Sequence, residues 1–172
     1  SYALADLRRN VGIVQQDVFI FSGNIRDNIA LNNTELSREQ IIQVAKYVNA
    51  DKFISKLPEG YDEPVMERGA TLSTGQRQLI AFARVLAYDP SIFILDEATS
   101  NIDTETELLI QDALAKLIVN RSSIIIAHRL STIQHADRII VLHKGEIVEE
   151  GSHFDLLDQK GLYYDLYRLQ YT

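Results

Sequence analysis

Asp96 and Glu97 follow directly on Ile92-Phe93-Ile94-Leu95, a short apolar run bounded by Pro90. A run of this length and composition reads as a buried strand of a parallel sheet. Ligands of open α/β sheets bind beyond the carboxyl ends of such strands. The strand therefore delivers two acids to a cleft rim, although on its own it could equally end in a solvated loop. Two further apolar runs end on polar side chains. Val11–Val14 leads to Gln15 and Gln16, and residues 123–127 lead to His128. If the three strands are parallel neighbours, Gln16, Asp96, Glu97 and His128 meet at one edge of one sheet. An acid for Mg2+, a second carboxylate as base, an amide and an imidazole are the parts that place a water against a phosphoryl group. Phosphoryl transfer is mostly positioning and charge stabilisation, and Mg2+ takes few protein carboxylates, so Asp96 suffices.

Composition narrows the alternatives. The 172 residues suffice for one domain with a sizeable core. The net charge of −7 argues against a nucleic-acid partner. Without cysteine there is no disulfide framework and no thiolate metal site. His128, His135, His143 and His153 form no i,i+4 pair and no HExxH pattern, so no zinc site is expected. His135, His143 and His153 read as surface residues. No apolar run is long enough to cross a membrane, and no signal peptide is visible. The chain by itself is expected to be soluble, with any membrane attachment made through a partner or through further sequence.

The elements that must position these residues follow from periodicity and punctuation. Residues 17–87 have a helical texture. Ser37 with Gln40 is a capping box, followed by one apolar face of Ile41, Val44, Ala45 and Val48. Pro58, Gly60, Pro64 and Gly69 then mark an irregular loop. A second capping box, Ser73 with Gln76, opens a helix striped by Leu79, Phe82, Ala83, Leu86 and Ala87 and ended by Asp89-Pro90. A helix starting at Thr104 buries Ile110, Ala113, Leu114, Leu117 and Ile118, with Asp103 as its plain N-cap. Beyond residue 128 a short helix precedes a hairpin turning at His143-Lys144-Gly145, and Ser152 with Asp155 opens the last helices. The order is that of an α/β layered fold with a helical excursion between its first two strands.

The Ser73–Gln76 helix start also presents free N–H groups and the positive dipole end, where phosphate binds readily. A capping box needs no ligand, however, and the cap is expected either way. The stretch ATLSTGQRQLIAFARVLAYDPSIFILDEATSNID resembles the signature-to-Walker B block of ATP-binding cassette (ABC) proteins. VGIVQQDVFIF resembles their Q-loop, and IIIAHRLST their switch-histidine loop. The resemblance spans essentially the whole chain. It implies a partial P-loop NTPase (RecA-like) layered sheet with an inserted helical subdomain at 17–88. Residues 1–16 and 89–172 would then form a partial ATP-binding core, together the C-terminal two-thirds of one nucleotide-binding domain. It further implies that Asp96 and Gln16 hold Mg2+, that Gln16 also reaches the attacking water and links the site to the helical subdomain, that Glu97 is the general base and that His128 senses the γ-phosphate of ATP. Ser73, Thr74, Gly75 and Gln76 would contact nucleotide bound to a second nucleotide-binding domain in a head-to-tail dimer. Residues 100–103, ending at Asp103, would be the D-loop crossing that interface. Val65, Met66, Glu67, Arg68 and Gly69 look like the X-loop that touches the coupling helices of an exporter's transmembrane part, which would place the chain at the cytoplasmic face of a membrane.

Two departures qualify the resemblance. Thr74 stands where the family usually has glycine; threonine adds a Cβ and restricts φ. This suggests a heterodimeric exporter with one weakened site. No GxxxxGK[ST] sequence occurs either, so the chain is expected to begin between the P-loop and the Q-loop and to leave apolar sheet edges exposed. A DNA-repair or chromosome-maintenance ATPase of the same family would show coiled-coil heptads and a basic surface, and neither is present. A non-catalytic module is the remaining alternative, against which Glu97 and His128 count. Without the phosphate cradle and its lysine, the purified chain should show no ATP hydrolysis. Sustained Mg2+-dependent turnover by pure chain, followed by phosphate release, would overturn this expectation.

Overall fold

A computed structural model describes residues 3–31, 33–66, 69–96, 102–127 and 129–171. The chain divides into two compact units, residues 1–126 and 127–172.

In the first unit, helix α1 (Leu4–Asn10) runs straight into strand β1 (Val11–Val14). Sequence reading did not anticipate α1, because Ala3 before it makes no side-chain cap. β1 pairs in parallel with β4 (Ile92–Asp96), and β4 with β5 (Ser122–Ile126), giving the order β1-β4-β5. β5 begins and ends one residue earlier than its apolar pattern predicts. The register aligns Val14, Leu95 and Ile125 on one side of the sheet and Ile13, Ile94 and Ile124 on the other. Helices α5 (Thr74–Tyr88) and α6 (Thr104–Ile118) supply the cover for the first side, where Val14, Phe93 and Leu95 are buried. Burial of a side chain such as Phe93 or Leu95 contributes roughly 1.5–3 kcal/mol. The opposite side is open: Ile13, Ile124 and Ile126 are 57, 58 and 53% exposed. Among the described residues the strands are therefore better covered on the first face, with Ile92 and Ile94 half-buried on the second.

Between β1 and β4 the chain is mainly helical, as expected, through α2 (Ile25–Ala30), α3 (Arg38–Tyr47) and α4 (Asp51–Ile54). It also contains a feature the helical reading lacked, an antiparallel pairing of β2 (Gly23–Asn24) with β3 (Pro64–Val65). Two-residue strands leave no periodic signal. Asn24 caps α2, and reciprocal capping boxes at Ser37 and Ser73 open α3 and α5. Each box satisfies two backbone donors that the helix itself cannot. Arg26 of α2 and Arg38 of α3 both reach Asp62 at 2.9 Å.

The second unit holds α7 (Leu130–Ile133), an antiparallel hairpin of β6 (Ile139–His143) and β7 (Glu146–Gly151), then α8 (His153–Gln159) and α9 (Leu162–Tyr171). Lys144 and Gly145 both have positive φ, 51° and 85°, which suits a two-residue turn between twisted strands. Leu130, Ile139, Val141, Leu156 and Tyr163 form its core. His153 corrects the sequence reading. It is buried, with Nδ1 2.7 Å from the Tyr163 hydroxyl, and its ring meets Tyr163 edge-on. Its polar nitrogen is satisfied by a residue ten positions away, which a local pattern cannot show. Glu149 of β7 accepts from the amides of Leu162 and Tyr163 and so caps α9.

Two helix contacts yield tests. A Cβ on Gly75 would lie 2.2 Å from Thr106 Cγ2, so α5 and α6 meet where glycine has no side chain. Gly75→Ala gains ~1 kcal/mol of helix propensity but overpacks the contact by ~1–3 kcal/mol. A lowered urea midpoint is expected; an unchanged or higher one would show that α6 gives way freely. Asp103 accepts from the Thr106 amide at 2.9 Å, and that bond holds its carboxyl below the ordinary 3.8. A depressed carboxylate contributes stability that is present above the unfolded value and lost as pH falls through the folded one. Asp103→Ala should therefore lower the urea midpoint at pH 7, with the gap to the parent closing below pH ~4. A gap independent of pH would remove the carboxylate from the cap.

Candidate functional site

The parallel register decides where the chemistry-bearing residues lie. Val14 is level with Leu95, and Asp96 is level with Ile126. Gln16 follows β1 by two residues and Asp96 ends β4, so both stand at the carboxyl edge of adjacent strands. Gln16 is exposed and Asp96 half-buried. Glu97 and His128 lie outside the described residues, as does Ser100.

Among the described residues, no group of three or more His, Cys, Asp or Glu is placed to hold a metal. Mg2+ does not need one, since it keeps waters and substrate oxygens in most positions. A carboxylate at a strand end, beside an amide-bearing loop, suits one bond to such an ion. The donor types present fit such an ion, and the sequence holds no Gly-Lys dipeptide of a phosphate cradle.

The start of α5 carries the other residues singled out in the sequence. Ser73 Oγ accepts from the Gln76 amide at 3.1 Å, while Gln76 Oε1 accepts from the Ser73 amide at 2.9 Å. The amides of Thr74 and Gly75 precede the first helical hydrogen bond, and Ser73 and Thr74 are exposed. Thr74 is the first helical residue, a conformation open to any side chain. The freedom of a glycine is thus not needed there. Its hydroxyl accepts from Arg77 Nη2 at 3.1 Å, and Arg77 Nη1 donates to the Leu72 carbonyl at 2.8 Å. Gly75 is buried against α6, so its small size serves packing as well as any approach by phosphate.

The loop before α5 divides by exposure. Val65 is buried in β3, and Gly69 sits at φ +61°, where an added Cβ would press Ile20 and Arg77 at 3.1–3.2 Å. Met66 is exposed, and Glu67 and Arg68 lie outside the described residues. Of Val65, Met66 and Gly69, only Met66 is exposed.

Sequence reasoning missed the buried polar groups that tie α5 to the segment after β1. Asn28, only 1% exposed, accepts from the Phe21 amide at 2.8 Å and donates to the carbonyls of Phe21 and Asn24 at 2.9 and 3.0 Å. Arg84 of α5 donates to the Asn28 carbonyl at 2.9 Å and the Phe19 carbonyl at 3.2 Å. Burial lowers the Arg84 guanidinium below its usual range. The available signal was an asparagine at a core-facing position between Ile25 and Ile29, and an arginine inside the stripe of Phe82, Ala83 and Leu86.

Comparison with known proteins agrees with this geometry. The family described as "ABC transporter" matches residues 2–100. The probable multidrug resistance ABC transporter ATP-binding/permease protein YheH of Bacillus subtilis is 53% identical over 96% of this chain and 24% of its own length. An ATP-dependent lipid A-core flippase of Syntrophus aciditrophicus is 51% identical over 98% of the chain and 28% of its own length. A solved bacterial Atm1-family ABC exporter with ATP bound superposes with a TM-score of 0.88 at 43% identity, covering 98% of this chain and 29% of that one. The chain thus spans about a quarter of the length of these relatives. With a parallel sheet whose carboxyl edge carries Gln16 and Asp96, and a capped helix opening at Ser73, this chain belongs to the ABC transporter family and corresponds to a nucleotide-binding domain of its exporters.

Proposed function

We propose that this chain is part of an ATP-hydrolysing motor that drives export across a membrane, working from the cytoplasmic face through a transmembrane domain. The observation that carries the reading is the register of β1, β4 and β5, which sets Gln16 and Asp96 on one edge as such chemistry requires. Near-complete coverage by exporters and flippases supports the direction of transport.

In this reading Asp96 and Gln16 would hold Mg2+, which would supply positive charge against that of the phosphates. Glu97 acts as the general base toward the attacking water, and His128 senses the γ-phosphate. Ser73, Thr74, Gly75 and Gln76 act on nucleotide held by a second nucleotide-binding domain. There the Ser73 hydroxyl proton and the uncommitted amides of α5 meet the terminal phosphate. Asp103 anchors the D-loop by capping α6. Residues 17–88 serve as the helical subdomain, and 1–16 with 89–172 as part of the ATP-binding core. Met66, beside Glu67 and Arg68, is the part of the X-loop best placed to touch a coupling helix, while Val65 and Gly69 shape the loop from within.

The test is ATP turnover by the full-length protein carrying this chain and by its Glu97→Gln variant. Loss of the base should lower kcat by ~10²–10⁴-fold while ATP binding persists. An unaffected rate would remove Glu97 from the mechanism.

A further inference from the structure

A cleft of about 350 Å³ lies between α4, the start of α5 and the start of α6. Its apolar lining, Phe53, Leu79 and Leu109, is buried or half-buried, while Lys52, Lys56 and Glu105 beside it are exposed. Gln76 and Thr106 bring it up to the helix starts that the functional reading sets against a second nucleotide-binding domain. The turn bearing the lysines is fixed in place. The Ser55 amide donates to the Asp51 carbonyl at 3.0 Å and the Lys56 amide to the Phe53 carbonyl at 3.1 Å, so the winding of α4 continues and both lysines stand on this cleft. Asn49, 7% exposed, donates to the Leu109 carbonyl at 3.1 Å and to Asp112 Oδ2 at 2.7 Å, which ties that turn to α6.

Charge singles out the two lysines. Arg26 and Arg38 share Asp62, Lys116 pairs with Asp112, Arg121 with Asp89 and Arg138 with Glu150. Among the described residues no carboxylate forms an ion pair with Lys52 or Lys56, and no cation forms one with Glu105. Asp112 is held below the ordinary carboxylate range by its bonds from Lys116 and Asn49, and the field of Lys52 adds to that. That acid is therefore already committed, and Lys52 reaches it through its field alone. Glu105 stands in the first turn of α6, where the helix dipole favours a carboxylate without a cation. The cleft thus keeps a surplus of positive charge in a chain whose net charge is −7.

Two domains as acidic as this one repel when brought face to face, unless cations stand at the contact. We propose that Lys52 and Lys56 are the docking contact for an acidic segment of the second nucleotide-binding domain and draw the two domains together. The inference rests on the functional reading above, which sets Gln76 and Asp103 at that interface. An ammonium suits the task, because it is a point charge on a flexible stem and can meet a carboxylate across a contact that opens and closes. Complementary charge of this exposed kind acts on encounter and register more than on final affinity, and salt weakens it. Neither ammonium makes a hydrogen bond or ion pair within the described residues, so a charge change there breaks no bond of the fold.

Charge reversal tests it in the full-length protein carrying this chain, with both nucleotide-binding domains present. A Glu97→Gln background slows turnover, so that closure of the domains can be followed against ATP concentration by the distance between one fluorescent label on each. In about 50 mM salt, Lys52→Glu/Lys56→Glu should raise the ATP concentration for half-closure about fivefold, the scale of two exposed ion pairs. In about 500 mM salt the difference should fall below about twofold. Lys52→Gln/Lys56→Gln removes the charges without adding acids, should give a shift of about twofold at low salt, and keeps the test valid should the reversal unsettle α4. Lys144→Glu/Lys160→Glu, the same charge change at two exposed lysines of the second unit, should leave half-closure unchanged. Carbodiimide coupling of the unmodified protein should join Lys52 or Lys56 to an Asp or Glu of the second nucleotide-binding domain when ATP is present. A merely structural role predicts a lowered thermal midpoint and a shift that survives high salt. That outcome, an unchanged half-closure at low salt, or coupling to the transmembrane part instead overturns the inference while the functional reading stands. Failure of the unmodified protein to close with ATP overturns the functional reading, and the inference with it.

Discussion

The parallel register of β1, β4 and β5 is the constraint on which the rest depends. In a sheet a slip of one residue sends every side chain to the opposite face. Here Val14, Leu95 and Ile125 share the covered face, and that choice places Asp96 at the strand end on the less covered one. The burial of Phe93 and Leu95 against α5 and α6 therefore also fixes where a cation would be met. The acid is positioned by the hydrophobic effect acting one residue away, with no polar contact needed to hold it.

The start of α5 shows the same economy in polar form. The hydrogen bonds between Ser73 and Gln76 satisfy the helix end whether or not phosphate is near. Gly75 leaves room for Thr106 of α6, and Asp103 caps α6 beside it. Residues that the family resemblance assigns to a partner's nucleotide thus also hold two helices together within this chain. Loss of activity on altering one of them does not by itself separate contact with nucleotide from support of the fold. The Thr74 position shows the converse. It sits in ordinary helical backbone, so what threonine changes there is the exposed surface and the tie to Arg77.

What could be read from the residues alone had local causes. The capping boxes at Ser37, Ser73 and Ser152 are complete within four residues, and each forms as its spacing predicts. The strands β1 and β4 are short apolar runs with clear stops, and Gln16 and Asp96 fall at their ends for that reason. The failures involve partners distant in sequence. His153 looked like a surface histidine because Tyr163 lies on the next helix. Val65 looked like part of an irregular loop because Gly23, its pairing partner, lies far upstream. Arg84 meets Phe19 across 65 positions, and no periodicity encodes that pairing.

The open face of the sheet bears on how such a site can work. Ile13, Ile124 and Ile126 are each more than half exposed, and they share the face to which Asp96 belongs. Exposed apolar groups of this size lower the stability gained on folding, and an apolar neighbourhood also strengthens whatever charge interaction forms beside it once water is excluded. A carboxylate on such a face is a weak ligand while water reaches it and a stronger one when the face is covered. The side that buries the core packs against α5 and α6, and the acid stands on the other.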